Sequence, residues 1–299
     1  MPMLLRQLAL VSESSSITLP DLLRVSAALQ KQASRDLAPI WEINATVDAF
    51  GKLEDVPLGY WPIMIRDDIG FDAAGIHLDK DGQPFALVTA GNDWSLTASH
   101  EVLEMLVDPF GNRVVAGDSP KSDQGRVEFL VEVSDPSEAA EFGYTVNGIL
   151  VSDFYTPNFF DPILAPGVRY SFTGALTEPR QVIAGGYLSW HEPVTDHWWQ
   201  LQFFGPTPTF KDLGVLTAKN GSMRAQIDHI TEPDAAAHRR GTGASVLAAR
   251  TASGMNLKSS ATKATSWRKQ IDELLGNKAT AATPAEKPEV RRPKRMKGD

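Results

Sequence analysis

The sequence predicts an α+β fold, in which helices pack on a mixed sheet and a part rich in β-strands and loops follows. Up to Gly111, short apolar runs alternate with two amphipathic segments, and beyond it the helical periodicity fades. The dipeptide Asn147-Gly148, typical of a tight hairpin, lies in that second part. From Thr231 onward Ala, Thr, Ser, Lys and Arg dominate, which predicts a flexible basic tail.

The elements predicted before Gly111 follow one another as strand, helix, three strands and helix. The first helix begins after Thr18, a suitable capping residue, with Pro20 in its first turn. The second helix ends at Asp108-Pro109, because a residue before proline disfavours the helical conformation. We expect the helices at about residues 19–36 and 94–107, strands at 4–11, 40–50, 60–65 and 85–90, a turn at 79–82, and a strand or short helix at 127–133.

We expect one globular domain at residues 1–230, with its core at about 4–162 and a loop-rich extension at 163–230. Residues 231–299 form a low-complexity linker and tail, in which 266–275 is the one segment with the pattern of a short amphipathic helix. The 42% content of hydrophobic residues is enough for a sizeable core.

Charge is distributed unevenly between the predicted domain and the tail. The tail has 14 Lys and Arg against 7 Asp and Glu, although the whole chain has a net charge of −8. The domain is therefore strongly acidic, and we expect it to repel nucleic acid. The basic cluster at residues 289–297 is expected to dock on a protein or another polyanionic partner.

Composition limits the chemistry and the compartment. The chain has no cysteine, so disulfides and cysteine-ligated zinc are excluded, and a metal site must use His, Asp and Glu. No apolar run approaches the length of about 18 residues that a membrane span needs. The N-terminal apolar run is interrupted by Arg6 and follows no cationic segment, so we expect no signal peptide and a cytoplasmic protein. Nucleotide-binding and GxSxG motifs are absent.

The second predicted helix contains the motif His100-Glu101-Val102-Leu103-Glu104. Residues four apart share a helix face, so His100 and Glu104 can hold one metal ion while Glu101 flanks it. This is the HExxH arrangement of zinc sites with glutamate, also a zinc ligand, in place of the second histidine. The alternative interpretation is that these polar residues lie on an ordinary solvent-exposed helix face.

The segment SHEVLEMLVDPFGN (residues 99–112), followed by EVSDP (132–136), resembles a group of zincin-like metallopeptidases with SHExxE, DP and a downstream acidic segment. The resemblance covers about residues 19–162. It implies a zincin core in which the active-site helix follows an edge strand, here the strand predicted at 85–90. It also implies zinc ligands at His100 and Glu104 and a catalytic carboxylate at Glu101. Glutamate at position 104 departs from the usual zincin pattern, which has a second histidine there.

A third protein ligand is needed for a catalytic zinc ion. Asp108 is an alternative ligand only if the helix ends early, because eight helical residues rise roughly 12 Å, and its expected role is to hold the turn that ends the helix. Glu132 lies in the segment that resembles the family and is the preferred third ligand. Asp135 is the alternative ligand, or a partner that orients His100. Both carboxylates are equally compatible with ordinary loop residues.

Other candidates are less specific. The resemblance implies a phenol or imidazole near the oxyanion, for which Tyr144 and Tyr155 are candidates. His77 precedes the 79–82 turn and is either exposed or directed into the cleft. His191 and His197 lie among aromatic residues, where they form either a substrate wall or part of the core.

Two functional hypotheses follow. The first is a zinc-dependent hydrolase with a peptide or protein substrate, in which metal-bound water attacks the peptide carbonyl and Glu101 moves the proton. Two carboxylate ligands weaken the Lewis acidity of the zinc ion, so slow or narrow activity is expected. The alternative is a catalytically inactive zincin-fold protein that serves as a structural or binding module in a larger assembly, such as a virus particle. His and carboxylate ligands also suit ions other than zinc.

Overall fold

The computed structural model describes residues 5–217 and 221–241, and its first layer is a five-stranded mixed sheet. The strand order is β2-β1-β3-β5-β4, with β1, β2, β3 and β5 parallel and β4 antiparallel to β5 at the edge. The strands are β1 (Leu5–Ser12), β2 (Asn44–Phe50), β3 (Trp61–Arg66), β4 (Gly75–Lys80) and β5 (Gln83–Thr89). Together with the helices packed on it, this sheet confirms the predicted α+β class.

Two helical segments cover this sheet. The first runs through α1 (Leu19–Lys31), a π-helical segment (Gln32–Leu37) and α2 (Ala38–Trp41) without a break. Thr18 caps α1 by accepting a hydrogen bond from the backbone N–H of Asp21, as predicted. The second segment is α3 (Trp94–Val107), which follows β5 and has the predicted bounds.

The structure corrects two predictions about the sheet. The strand predicted at residues 40–50 starts only at Asn44, because the helical segment continues to Trp41 and ends at Glu42 with a φ of 55°. The strand predicted at 85–90 corresponds to β5. The prediction that it is an edge strand is wrong, since β5 lies between β3 and β4. The edge strand β4 was missed because its sequence, GIHLDK, is short and half polar.

Turn predictions were more accurate, since turns depend on local sequence. The 79–82 segment joins β4 to β5, with Asp81 and Gly82 in the left-handed region. Asn147 (φ 52°) and Gly148 (φ 79°) join a two-stranded hairpin, as predicted. Its strands are β8 (Tyr144–Val146) and β9 (Ile149–Val151), which follow β6 (Val114–Asp118) and β7 (Arg126–Leu130) along the chain.

The second layer is an antiparallel sheet of order β12-β11-β10-β7-β6. Its remaining strands are β10 (Tyr187–Glu192), β11 (His197–Gln202) and β12 (Thr209–Gly214). One apolar cluster joins the two layers and includes Leu10, Val102, Leu106, Phe129 and Trp190, all of them fully buried. Short 3₁₀ turns occupy Leu53–Asp55, Asp135–Ser137, Ala140–Phe142 and Pro157–Phe160.

The segment after β7 brings its carboxylates back to α3. Residues 131–137 are all buried. The backbone N–H of Ser134 donates to Oε1 of Glu104 over 3.2 Å, and the carbonyl of Val133 accepts from the N–H of Tyr155 over 2.7 Å. These contacts hold Glu132 and Asp135 beside the predicted metal helix.

The last described element is α4 (Met223–Gly241), which extends past Thr231, the predicted start of the tail. Its N-terminal end is fixed to the turn after α3, where the N–H of Arg224 donates to the carbonyl of Gly111 over 3.1 Å. Ile227 is fully buried against the second sheet. The predicted helix at 266–275 and the basic cluster at 289–297 lie outside the described residues. Within the described part, no helix has both the length and the apolar character needed to cross a membrane.

Candidate metal centre

The motif residues of α3 face the interior of the protein. Glu101 is 3% exposed and Glu104 is fully buried, so the interpretation as a solvent-exposed helix face does not hold for them. The helix is fixed by Ser99, whose hydroxyl donates to Oε1 of Gln32 (2.8 Å) and accepts from the N–H of Ser152 (2.9 Å). Burial of carboxylates without compensation is costly, so the groups that face them determine what this site does.

One group of potential ligands joins α3 to the segment after β7. Nε2 of His100 lies 3.3 Å from Oε1 of Glu104 and 3.0 Å from Oδ1 of Asp135. Ligand atoms at about 2.0–2.1 Å from a tetrahedral zinc ion lie roughly 3.3 Å from one another, so the spacing suits such an ion. Among the described residues, neither carboxylate oxygen of Asp135 has a hydrogen bond of acceptable geometry. His100, Glu104 and Asp135 could therefore hold a metal ion.

A second group joins the edge strand to the same helix. His77, on β4, is 2% exposed, and its Nδ1 lies 3.5 Å from Oε2 of Glu101 and 3.8 Å from Oε2 of Glu104. Its Nε2 lies 3.0 Å from the carbonyl oxygen of Asp108. His77, Glu101 and Glu104 also form a group that could hold a metal ion. The structure thus directs His77 into the site, one of the two positions considered for it.

Arg224 of α4 is the resident cation of this cluster. Its Nη1 contacts Oε2 of Glu104 and lies 2.8 Å from Oε1 of Glu132. Its Nη2 lies 3.9 Å from Oε2 of Glu101, and its Nε lies 3.3 Å from Oδ2 of Asp228. Arg224 and Asp228 were missed at the level of sequence, because nothing in the α4 segment signals contact with residues more than 90 positions earlier.

The pKa directions of the carboxylates reflect burial first and neighbouring charges second. Burial, with the charge of Glu104 adding to it, raises the pKa of Asp135 to about 6. Burial also raises the pKa of Glu132 well above its usual range, against the effect of Arg224. Burial opposes ionisation of Glu104 as well, but Arg224 and His100 outweigh it and hold the pKa of Glu104 well below its usual range. A divalent cation in the cluster would offset the negative charge of the ionised carboxylates.

His100 responds to the same charges. Burial lowers the pKa of an imidazole, but the carboxylates of Glu104 and Asp135 outweigh burial and raise the pKa of His100 well above its ordinary value. A metal ion at this position must displace that proton, since a histidine ligand is deprotonated at the bound nitrogen. Protons and metal ions therefore compete for the same three residues.

A cavity of about 460 Å³ opens beside the cluster. Its lining includes Gly75, Leu96, His100, Glu101, Tyr187 and Asp228. A Cβ atom on Gly75 would lie 2.5 Å from Cγ2 of Thr97 and 2.7 Å from Oε1 of Glu101, so only glycine allows β4 to approach α3 this closely. The motif helix and the edge strand therefore form adjoining walls of one cavity.

The structure separates the candidates for the third ligand. Asp135 lies next to His100, whereas Glu132, the preferred candidate, contacts Arg224 and belongs to neither potential metal group. Asp108 also lies outside both groups. Its Oδ2 accepts a hydrogen bond from the N–H of Arg113 over 2.7 Å and so holds the turn after α3, as expected.

The candidate tyrosines are placed differently. The hydroxyl of Tyr144 donates to Oδ2 of Asp36 over 2.9 Å, which directs it away from the metal groups. Tyr155 is fully buried, its hydroxyl has no hydrogen-bond partner among the described residues, and burial with the charges of Glu104 and Glu132 raises its pKa well above 10. Tyr187, which was not a candidate, lines the cavity and has a pKa raised by burial and by Asp135.

The remaining histidines pair with carboxylates of the second sheet. Nδ1 of His191 lies 3.1 Å from Oε2 of Glu128, and its Nε2 lies 2.9 Å from Oδ1 of Asp196. Nδ1 of His197 lies 2.9 Å from Oδ1 of Asp212. Neither histidine lines the cavity described above, so the idea of a substrate wall finds no support in that cavity.

Comparison with known proteins assigns neither a family nor a function to the chain. The chain matches no protein-family model, and no curated protein or solved structure is significantly similar to it. The donor set of imidazole and carboxylate suits zinc and also manganese, iron and cobalt. The chemistry of the centre therefore has to be inferred from the residues that form it.

Proposed function

We propose that this protein is a zincin-like metallohydrolase that cleaves a peptide bond. In this proposal a divalent cation, with zinc as the first choice, is held by His100, Glu104 and Asp135. The main support is the approach of Nε2 of His100 to carboxylate oxygens of Glu104 and Asp135 at 3.3 and 3.0 Å, beside a cavity of about 460 Å³. A pocket of this size with perturbed titratable groups in its wall is typical of a catalytic site.

The order of elements agrees in part with the zincin-like arrangement, since the edge strand β4 is separated from α3 by the internal strand β5. The resemblance implies a helix, strands, an edge strand and then the active-site helix. The chain has α1, β2, β3, the edge strand β4, β5 and then α3. The edge strand lies beside the motif helix, as the close approach of Gly75 to Glu101 shows. A substrate in the cavity would contact both elements.

The residues of the chain have distinct roles in this mechanism. When bound, the cation polarises the scissile carbonyl and makes water a nucleophile near neutral pH. Glu101 accepts the proton of that water and passes it to the leaving amine, because it lines the cavity and its Oε2 has no hydrogen-bond partner among the described residues. Arg224 holds the second oxygen of Glu104 and thereby orients this ligand.

Tyr187 is the candidate for binding the developing oxyanion, because it is the one described tyrosine that lines the cavity. It lines the cavity, and burial raises its pKa well above 10, so its hydroxyl keeps its proton and can donate a hydrogen bond. Tyr155 keeps its proton for the same reason but is fully buried. We therefore assign substrate contact to Tyr187 and a supporting position behind the ligands to Tyr155.

One observation favours the alternative of a catalytically inactive protein. The guanidinium of Arg224 already contacts Glu104 and Glu132, and thus supplies positive charge inside the cluster. In that case the buried ion pairs stabilise a binding module that acts in a larger assembly. The two candidates differ in whether a metal ion is needed and in whether Glu101 has a chemical role.

Metal content and hydrolysis distinguish these candidates. We expect the full chain, purified without chelators, to contain zinc, to lose it in His100→Ala, and to retain it in the surface control His197→Ala. Glu101→Gln should keep the ion and lose hydrolysis of a mixed peptide library by at least about 100-fold. A tightly bound zinc equivalent that His100→Ala leaves unchanged would refute the site, and hydrolysis that survives Glu101→Gln would refute the mechanism.

A further inference from the structure

The hydrogen bond of His77 to the backbone determines which of its nitrogens carries the proton. A carbonyl oxygen only accepts hydrogen bonds, so the contact of 3.0 Å between Nε2 and the carbonyl of Asp108 requires a proton on Nε2. In the neutral ring, Nδ1 is then an unprotonated nitrogen with a lone pair. His77 is 2% exposed, so water does not readily solvate this nitrogen.

Nδ1 of His77 faces two carboxylate oxygens. Oε2 of Glu101 lies at 3.5 Å and Oε2 of Glu104 at 3.8 Å. Within the described chain, neither Nδ1 of His77 nor Oε2 of Glu101 has a hydrogen-bond partner. Buried polar atoms without a hydrogen-bond partner are costly, and a cation that binds both of these atoms would remove that cost.

We propose that His77, Glu101 and Glu104 form a second position for a divalent cation, adjacent to the first. Nδ1 of His77 and one oxygen of each glutamate are its ligands, and the atoms lie within 4.8 Å of one another. Glu104 directs Oε1 to His100 and Oε2 to His77, so it bridges the two positions. A carboxylate bridge is typical of two-metal sites, in which the ions lie roughly 3.5–4 Å apart.

Charge balance supports two ions rather than one. In the metal-bound state, with all five carboxylates ionised and both histidines neutral, the cluster carries five negative charges and the one positive charge of the guanidinium, a net charge of −4. Two divalent cations supply four positive charges. The carboxylates are those of Glu101, Glu104, Glu132, Asp135 and Asp228, and the guanidinium is that of Arg224.

The second position is the weaker one. Arg224 contacts Oε2 of Glu104 and lies 3.9 Å from Oε2 of Glu101, so its positive charge repels an ion at that place. Filling the second position also occupies Oε2 of Glu101. If Glu101 is the base of the proposed hydrolysis, a second equivalent of metal slows the reaction. This consequence and the bridge through Glu104 rest on the proposed function.

A metal titration of the full chain tests the second position without any assay of activity. We expect metal-free wild type to bind two equivalents of zinc in calorimetry and native mass spectrometry, one tight and one weaker. His77→Gln keeps an N–H for the carbonyl of Asp108 and removes Nδ1, so it should weaken the second equivalent at least about tenfold and leave the first. The control His197→Gln should bind two equivalents.

The outcomes separate the two proposals. If His77→Gln still binds two equivalents, or if wild type binds one that only His100→Ala removes, the second position is refuted and the first remains. A different result would support the second position and refute the first. In that result wild type binds a single equivalent, which His100→Ala keeps and His77→Gln loses. Absence of binding refutes both.

Spectroscopy of wild type covers the case in which His77→Gln does not fold. Two manganese ions bridged by Glu104 should give a magnetically coupled electron paramagnetic resonance spectrum, because they lie within about 4 Å. A spectrum of isolated ions at saturating manganese would refute the second position.

Discussion

Asp135 places Oδ1 at 3.0 Å from Nε2 of His100, and this contact selects the third ligand of the proposed centre. Glu132, which precedes it by three residues, instead faces Arg224. We expect Asp135→Asn to weaken zinc binding by more than about 100-fold, because it removes a charged ligand, and Glu132→Gln to weaken it by less than about tenfold. Competition with a zinc chelator measures both affinities. If Glu132→Gln weakens zinc binding more than Asp135→Asn does, Glu132 and not Asp135 is the third ligand.

Removal of Arg224 should destabilise the metal-free protein strongly. Arg224→Met keeps much of the volume but leaves Glu104 and Glu132 without their counter-ion, a loss of about 3–5 kcal/mol in the free energy of unfolding. The control Arg24→Met breaks an exposed pair with Asp21 and should cost less than about 1 kcal/mol. Urea unfolding in the presence of a chelator measures both.

Zinc should restore part of the stability lost in Arg224→Met, since a ligand that binds only the native state stabilises it. An Arg224→Met variant as stable as Arg24→Met would show that Arg224 is not the counter-ion of the cluster.

Gly75→Ala should displace Glu101, the proposed catalytic carboxylate, without removing it. The added Cβ would lie 2.7 Å from Oε1 of Glu101 and 2.5 Å from Cγ2 of Thr97, so either β4 or Glu101 must move. We expect a fall in hydrolysis of at least about tenfold with the tight zinc retained, because a displacement of about 1 Å is enough to impair catalysis. At the control position, Gly91→Ala, the nearest atom is 4.0 Å away, and activity should be kept.

Ionisation of Asp135 should destabilise the metal-free protein as the pH rises. Its pKa is raised from 3.8 to about 6 on folding, so between these values the native state holds a proton that the unfolded state lacks. The contribution of Asp135 to stability therefore falls from about pH 4 to about pH 6. Asp135→Asn cannot ionise, and it should gain stability relative to wild type across this interval.

Thermal unfolding of both proteins with a chelator, at several pH values from 4 to 7, measures this difference. If the difference in melting temperature between the two proteins does not change with pH, the ionisation of Asp135 does not change between pH 4 and pH 7. With saturating zinc the trend should reverse, because ionised Asp135 is the form that binds the metal.

The local parts of the fold could be predicted from the sequence because their signals lie within a few residues. Thr18 caps α1, Asn147-Gly148 forms a hairpin turn, and α3 has the predicted bounds. The same holds for His100 and Glu104, since residues four apart on a helix share a face wherever the helix lies.

Contacts between distant segments could not be predicted in this way. β4 became the edge strand through its pairing with β5, a choice that depends on the assembled sheet. Asp135 rather than Glu132 lies near His100 because the 3₁₀ turn after β7 directs it there.

The sequence by itself determined the helix, two prospective ligands and a base, since helical spacing alone places them together. Tertiary structure decided which groups face them: the carboxylate of Asp135, which is the proposed third ligand, the imidazole of His77 and the guanidinium of Arg224. The physical reason is that burial makes each charge dependent on its neighbours, and these neighbours come from separate elements that only the packed fold brings within a few ångströms of α3.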